Sequence, residues 1–210
     1  MKISILIPAY NEANTIADII KNASQNSKID EILVIDDGSE DNTAEIVKSI
    51  GARVISLSEN QGKGAAIQKG VENINSEIII MLDGDLIGLK SKHIDILLKP
   101  LLYKNIDMSV GVFNEGRNLT DLAQLISPAL SGQRAIKTAI IKDLKDLKDA
   151  GYGLEIALNS YVKKHGRYEF VNLPELTHIM KEEKMGFFKG LLSRLKMYWE
   201  IVKTLLKKYL

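Results

Sequence analysis

A run of apolar residues that ends in two aspartates, EIIIMLDGDL at residues 77–86, decides the fold class of this chain. Residues 77–82 have the near-continuous apolar character of a strand that is buried on both faces of a parallel sheet. Open α/β sheets bind ligands beyond the carboxyl ends of their strands, and carboxylate oxygens are ligands that Mg²⁺ and Mn²⁺ prefer. Two interpretations of Asp83-Gly84-Asp85 therefore stand side by side: a metal site that holds a diphosphate, and an ordinary Asp-Gly turn.

Strand and helix patterns alternate around this stretch. We expect strands over residues 3–8, 31–36, 53–57 and 78–83, and helices over residues 14–23 (behind an Asn cap), 41–50 and 64–73. Apolar strands separated by helices are typical of a mostly parallel central sheet with helices on both faces, so an α/β fold is predicted. After residue 90 the patterns predict helices over 93–103, 119–129, 134–148 and 154–164, and strands over 108–113 and 168–173.

Composition narrows the class of protein. The chain has 210 residues and a formal net charge of +1, so its overall charge gives no sign of nucleic-acid binding. It contains no cysteine, which rules out disulfides, thiolate metal sites and a cysteine nucleophile. The first residues lack the features of a signal peptide, and no apolar run reaches the roughly 18 residues that span a bilayer. We therefore expect an intracellular, cytoplasmic protein.

The loops that follow the strands carry further candidate residues. Residues 7–12 (IPAYNE) contain neither GxGxxG nor GxxxxGK[ST], which disfavours a dinucleotide fingerprint or a P-loop. Asp36, at the end of the second strand, could accept hydrogen bonds from a base imide or a ribose hydroxyl, or its neighbours Asp37 and Ser39 could cap the next turn. Lys63, between two glycines at the start of a helix, would favour a phosphate, although glycine before a helix is common.

Four motifs in this order resemble the GT-A glycosyltransferases of the family-two type, which use nucleotide-diphospho-sugars: IPAYNE at 7–12, VIDDGSEDNT at 34–43, NQGKGAA at 60–66 and MLDGDL at 81–86. The resemblance implies a GT-A fold and covers roughly residues 2–90. It implies a donor site whose nucleoside pocket is lined by Pro8, Ala9, Tyr10, Glu12 and Asp36, with Lys63 and Gly84 near the diphosphate. It also implies that Asp83 and Asp85 are the DxD pair around a Mg²⁺ or Mn²⁺ ion.

The second half is similar to the glucosyl-3-phosphoglycerate synthase group and its mannosyl relatives, through LSGQRA at 130–135, AGYGLEI at 150–156 and Thr177-His178. In that group the first loop borders the donor sugar, which would be the place of Ser131 and Gly132. Glu155 would lie near the reacting centre, and His178 would join Asp85 on the metal. Each has a plainer alternative: an acid is favoured at a helix start, and a lone histidine is often structural. His93 and His165 have no motif and are interpreted as structural.

Arg134 is the third catalytic candidate beside Glu155 and Asp85. A guanidinium could pair with the diphosphate, or it could anchor its loop through a buried salt bridge, because its planar fork suits both tasks. The acceptor candidates are Arg117 and Thr120 in Gly116-Arg117-Asn118-Leu119-Thr120. This stretch is one residue longer than the Gly-Arg-x-Thr arrangement of the group, which disfavours phosphoglycerate itself as the acceptor.

Charge is uneven along the chain. Residues 187–210 carry six basic residues and one acid, a net charge of +5, which leaves −4 for residues 1–186. Apolar residues recur there at helical spacing, so we expect a basic amphipathic helix after a catalytic domain of residues 1–186, with a nucleotide-sugar half (1–90) and an acceptor half (91–186). The helix could pack on the domain, pair two subunits as a homodimer, or lie peripherally on the inner membrane face.

Together these features predict a metal-dependent hexosyltransferase. Its donor would be a UDP-sugar ahead of a GDP-sugar, and its acceptor an anionic or phosphorylated small molecule. Transfer to a polyprenyl phosphate at a membrane surface is an alternative of the same class, and a non-catalytic nucleotide-sugar binding module is one of another class. The resemblance to the synthase group implies retention of anomeric configuration, whereas simple family-two relatives invert and need a base, for which Glu155 is the candidate.

Overall fold

The computed structural model describes residues 1–113, 131–144 and 153–178, with His178 described as backbone alone. Its strands are β1 (Ile3–Ala9), β2 (Glu31–Asp36), β3 (Arg53–Ser56), β4 (Ile78–Met81), β5 (Leu86–Ile87), β6 (Met108–Val112), β7 (Arg134–Lys137), β8 (Tyr168–Asn172) and β9 (Thr177–His178). Its helices are α1 (Ile16–Ser24), α2 (Thr43–Ser49), α3 (Lys63–Asn73), α4 (Ser91–Tyr103), α5 (Thr138–Asp143) and α6 (Leu154–His165).

In this part of the chain, seven strands form one sheet in the order β3-β2-β1-β4-β7-β6-β8. The first four strands are parallel, β7 runs antiparallel to both β4 and β6, and β8 runs parallel to β6. The parallel strands all end at the same edge of the sheet, so the loops after β1, β2 and β4 meet there. The predicted α/β class, with a mostly parallel sheet, is confirmed.

Helices cover both faces of the sheet, as expected. Alternate side chains of β1 enter opposite cores: Ile5 and Ile7 pack with α1 and α4, whereas Leu6 packs with α3 and α6. α3 approaches the sheet closely because Gly70 faces Leu6; a Cβ at Gly70 would lie 2.2 Å from Leu6 Cδ1. A strand that is buried on both faces has no polar side to show, which explains its near-continuous apolar sequence.

The predicted helix over residues 134–148 is wrong at its start. Arg134–Lys137 is strand β7, which lies between β4 and β6 and pairs with both, and helix begins only at Thr138. The backbone hydrogen bonds that these two neighbours offer override the local helical pattern. The Asn cap of the first helix is also wrong, because Thr15 is the residue before its first turn.

Two other expected helices, 119–129 and 187–210, lie outside the described residues. Within the residues that the structure does describe, no helix combines the length and apolar character needed to cross a membrane.

Candidate active site

The Asp83-Gly84-Asp85 turn packs directly on the loop that follows β1. Leu82 N–H donates to Leu6 O (3.1 Å), which carries the pairing of β4 with β1 to the start of the turn. A Cβ at Gly84 would lie 3.0 Å from Glu12 Cγ, and the buried Thr15 hydroxyl donates to Gly84 O (2.6 Å). The turn is therefore locked against the IPAYNE segment rather than projecting into solvent as an ordinary acidic turn would.

Pro8 and Ala9 lie at the carboxyl end of β1, opposite the end of β2. Ala9 pairs with Asp36, and Asp37 N–H donates to Ala9 O (2.8 Å). Asp36 is buried and accepts from Ser39 N–H (3.2 Å), while Tyr10 is 39% exposed. The structure thus brings together the residues that the sequence assigned to a nucleoside pocket.

Asp37 ties this edge to the loop before α3. Its carboxylate accepts hydrogen bonds from Gln61 N–H (2.9 Å) and Gly62 N–H (2.8 Å). Burial raises the pKa of Asp37, against the two amide hydrogen bonds, which lower it. The sequence left open whether Asp37 contacts a ligand or caps the next turn; no local pattern signals a carboxylate that reaches a loop more than twenty residues away.

Lys63, the first residue of α3, is the centre of an ion cluster. Its Nζ lies 2.6 Å from Asp83 Oδ1 and 2.7 Å from Glu155 Oε1. Burial alone would lower the pKa of Lys63, but the two carboxylates raise it above its ordinary value. The ammonium therefore stays protonated and holds together the turn after β4 and the first turn of α6.

Asp83 has a second partner that sequence reasoning missed. Gln133 Nε2–H donates to Asp83 Oδ2 (2.9 Å), so both carboxylate oxygens are engaged. Gly132 lies against the same carboxylate, and a Cβ there would come within 2.3 Å of Oδ2. Ser131 precedes it and donates its hydroxyl to Gln133 Oε1 (3.1 Å). The loop before β7 is therefore shaped around Asp83.

Glu155 is 6% exposed and stands in the first turn of α6, with Lys63 as its partner. Its Oε1 lies 2.7 Å from Lys63 Nζ, so the role that the structure shows for this carboxylate is to hold the ammonium in place.

Arg134 is fully buried, and it anchors the loop from beneath. Its Nη2 donates to Ser131 O and its Nη1 to Asn159 Oδ1 (3.2 Å), while Nε has no hydrogen-bond partner in the structure. Burial lowers the pKa of Arg134, and the charges of Glu155 and Asp83 oppose that effect. Within the described ranges no carboxylate lies at ion-pair distance from it, so the anchoring runs through a carbonyl and an amide.

A divalent ion is implied at Asp83 and Asp85, and the donor chemistry fits it. No group of three His, Cys, Asp or Glu side chains that could hold a metal occurs among the described residues. The pairing of β5 with β9, however, sets the backbone of His178 opposite Leu86, the residue after Asp85. The Asp85 carboxylate and one imidazole, with Asp83 beside them, would leave coordination positions for diphosphate oxygens, as Mg²⁺ and Mn²⁺ sites commonly do. The other predicted site residues, Arg117 and Thr120, lie outside the described residues.

Comparison with known proteins relates this chain to glycosyltransferases. The family model described as Glycosyl transferase family 2 matches residues 4–159. An uncharacterized protein of Methanocaldococcus jannaschii is 30% identical over 190 residues, covering 79% of this chain and 77% of its own. Glycosyltransferase AglJ of Haloferax volcanii is 43% identical over 84 residues, which are 40% of this chain and 27% of AglJ. A dolichyl-phosphate beta-glucosyltransferase of Dictyostelium discoideum is 35% identical over 99 residues, 40% of this chain and 30% of that protein.

Among solved structures, glucosyl-3-phosphoglycerate synthase from Mycobacterium tuberculosis is similar over nearly the whole chain. Its complex with Mn²⁺, UDP and phosphoglyceric acid superposes with a TM-score of 0.82 at 27% identity, covering 98% of this chain and 78% of that one. A complex of the same protein with Mg²⁺ and UDP has a TM-score of 0.73, covering 92% of this chain and 79% of that one. The family match extends over well more than half of the residues, and this chain belongs to glycosyl transferase family 2.

Proposed function

We propose that this family 2 enzyme transfers a hexose from a UDP-sugar to an acceptor that carries a phosphate, with Mg²⁺ or Mn²⁺ as the cofactor. The observation that carries the proposal is the Lys63–Asp83–Glu155 cluster beside Asp85, at the carboxyl edge of the sheet. The similar synthase was crystallised with Mn²⁺, UDP-glucose and either phosphoglyceric acid or glycerol 3-phosphate, two molecules that share a phosphate group.

The proposed roles combine the family resemblance with the geometry of this chain. Asp85 and His178 would hold the metal, with Asp83 beside it, and a bound divalent ion would offset the charge of the departing nucleoside diphosphate. Lys63 presents a fixed ammonium at the same edge, already oriented by Asp83 and Glu155, so little reorganisation is needed to stabilise that charge. Glu155, buried and paired, favours the retaining alternative, in which the enzyme needs no general base.

The acceptor half is the part of the proposal that rests on sequence. Arg117 and Thr120 would bind the acceptor anion, because a guanidinium and a hydroxyl together suit a phosphate. The division into a domain of residues 1–186 and a basic helix over 187–210 belongs to the proposal as well.

A thermal-shift experiment tests the donor site. We expect a UDP-sugar with Mn²⁺ to raise the melting temperature, since a ligand at 100 times its Kd adds about 2.7 kcal/mol of stability. The Asp85→Asn variant should lose the metal-dependent part of the shift. Glu31→Gln is the matched control, because Glu31 pairs with Arg53 at the opposite end of β2. A full metal-dependent shift in Asp85→Asn would contradict the metal assignment.

Transfer to a lipid-linked phosphate is the second candidate. Two named relatives are a dolichyl-phosphate beta-glucosyltransferase and an undecaprenyl-phosphate 4-deoxy-4-formamido-L-arabinose transferase, and the chain matches less than a third of the length of each. The net charge of +5 in residues 187–210 suits an anionic membrane surface.

An acceptor panel distinguishes the two sources of phosphate. The full chain with radiolabelled UDP-glucose is given either water-soluble phosphate esters or a polyprenyl phosphate in anionic vesicles. Transfer to the esters alone supports the first candidate, and transfer to vesicles alone, weakened by Lys203→Gln with Lys207→Gln, supports the second. Donor binding without transfer to any acceptor would contradict both and favour a nucleotide-sugar binding module.

A further inference from the structure

A small two-stranded sheet lies beside the metal-side edge of the site. Leu86 of β5 pairs with His178 of β9, and Ile87 pairs with Thr177, in antiparallel register. Leu86, the first residue of β5, directly follows Asp85. The pairing of Leu86 with His178 therefore sets the distance between the backbones of Asp85 and His178. Each strand has two residues, and so few backbone hydrogen bonds cannot by themselves hold a register.

His93, near the start of α4, is fully buried and hydrogen-bonds to backbone groups of both segments that adjoin this sheet at the end where Ile87 pairs with Thr177. Its Nδ1 accepts from Lys90 N–H (3.0 Å), in the segment that leaves β5. Its Nε2 lies 2.9 Å from Pro174 O, in the segment that enters β9. A carbonyl can only accept, so Nε2 carries the proton and the ring is neutral. Burial lowers the pKa of His93, with Lys92 and Lys90 acting in the same direction, while the hydrogen bond with Pro174 O and the charge of Glu175 act against it.

The chain between β8 and β9 turns sharply at the residue that follows this contact. Glu175 has a φ of +66°, and its carbonyl oxygen would lie 2.7 Å from a Cβ at Gly88, so the two segments are in close contact. Leu173 and Leu176 on either side are buried in the core. Pro174 thus begins a short, closely packed segment that leads to Thr177 and His178, three and four residues further on.

Ion pairs also cross this junction, but they contribute less. Glu175 pairs with Lys90 (2.7 Å) and Lys92 (3.2 Å), and the Glu175 side chain is 62% exposed. Exposed pairs of this kind typically add less than about 1 kcal/mol. The buried histidine, whose two ring nitrogens both have partners, is the stronger link because breaking either bond leaves a buried polar group unsatisfied.

We propose that His93 is a positioning residue for the metal site: through Pro174 it fixes Thr177–His178 against Leu86–Ile87 and so sets His178 beside Asp85. This inference rests on the proposed function, because it presupposes that Asp85 and His178 hold a metal ion. His93 is not one of those proposed ligands. Mutation of groups that orient a metal ligand typically lowers metal affinity by about 10–100-fold.

Two substitutions of His93 test its two hydrogen bonds separately. His93→Asn places an amide near the Nδ1 position, which keeps the bond to Lys90 N–H and loses the one to Pro174 O. His93→Gln reaches the Nε2 position and can still donate to Pro174 O. We measure the Kd of Mn²⁺ in the presence of excess UDP by electron paramagnetic resonance, and the Kd of UDP without metal, on the full chain.

The proposal expects the Mn²⁺ Kd to rise about ten-fold or more in His93→Asn and less than about three-fold in His93→Gln, as for other groups that orient ligands. UDP binding without metal should be unchanged in both. Lys92→Ala is the control, since it removes only an exposed pair of the same junction. Equal Mn²⁺ affinity in His93→Asn and the wild type would overturn the proposal, as would an equal loss in both variants. If the wild type binds no Mn²⁺ with UDP, the proposed function itself fails.

Discussion

At Lys63 one ammonium neutralises two carboxylates, Asp83 and Glu155, that come from distant segments of the chain. None of these side chains is more than about a third exposed, so their pairing is only partly screened by water. The same three groups would border the departing diphosphate. Lys63 would therefore have two roles: it stabilises the contact between two elements of the fold, and it would stabilise the charge of the leaving group.

The two needs can be separated by mutation. Lys63→Met leaves Asp83 and Glu155 close together without a cation, and we expect it to lower the free energy of unfolding by about 1–3 kcal/mol. Adding Glu155→Gln should restore much of that stability because it removes one of the two charges. Transfer should stay about 10²–10³-fold below wild type in both variants, since the fixed positive charge is missing. Denaturant unfolding and initial rates give both numbers; recovery of activity in the double variant would contradict the electrostatic role.

Gly132 makes a second prediction at this scale. Gly132→Ala would place a Cβ 2.3 Å from Asp83 Oδ2, and Asp83 would have to leave Lys63 or Gln133. We expect donor binding with Mn²⁺ to be lost by calorimetry. Gly166→Ala is the matched control: its Cβ would lie 2.9 Å from Asp107 Oδ2, beside the starts of β6 and β8 and away from the site. That variant should lose stability and keep its donor affinity, and a loss of affinity in both would show a general effect on folding.

Among the elements, β7 connects the two halves of the site. It enters the sheet antiparallel between β4 and β6, and its first residue, Arg134, pairs with Met81 at the edge where β4 ends. The Ser131–Gln133 loop therefore arrives at the same edge as the Asp83 turn. Arg134 holds that loop and α6 together by bonding Ser131 O and Asn159.

Arg134→Lys tests this connection, because an ammonium keeps the charge but cannot span both acceptors as the planar fork does. We expect a loss of about 2 kcal/mol or more in unfolding free energy, since a buried partner is left unsatisfied, together with weaker donor binding. Arg53→Lys makes the same chemical change in an exposed ion pair with Glu31 and should cost less than about 0.5 kcal/mol. Equal losses in the two variants, from urea titrations, would show that burial of Arg134 contributes nothing.

On the scale of the whole molecule, those candidate residues that the structure describes collect at one edge of the sheet. At that edge Asp36 ends β2, Asp83 follows β4 and Gln133 precedes β7, while Glu31, Ile78 and Lys137 lie at the opposite edge. Binding at one edge should thus be visible as a one-sided change in dynamics.

Hydrogen exchange followed by mass spectrometry measures that change. With UDP and Mn²⁺ we expect slower exchange in peptides that cover residues 8–12, 36–39, 60–63 and 131–134, because bound ligand suppresses local opening there. Peptides over residues 26–31 and 104–107 should exchange at unchanged rates. Protection confined to the second set would place the ligand at the wrong edge.

The sequence alone determined the α/β class, the strand ends where ligands would bind and the order of the family motifs, because these depend on local patterns of apolar and polar residues. It could not determine that residues 134–137 form a strand, since the two neighbouring strands that impose it are supplied by distant segments. The tertiary structure alone likewise decided the partners of Lys63, the hydrogen bond from Gly62 N–H to Asp37 and the two hydrogen bonds of the His93 ring. Each of these interactions joins distant segments of the chain or involves a backbone atom. Interactions of that kind produce no periodic pattern in the sequence from which they could be predicted.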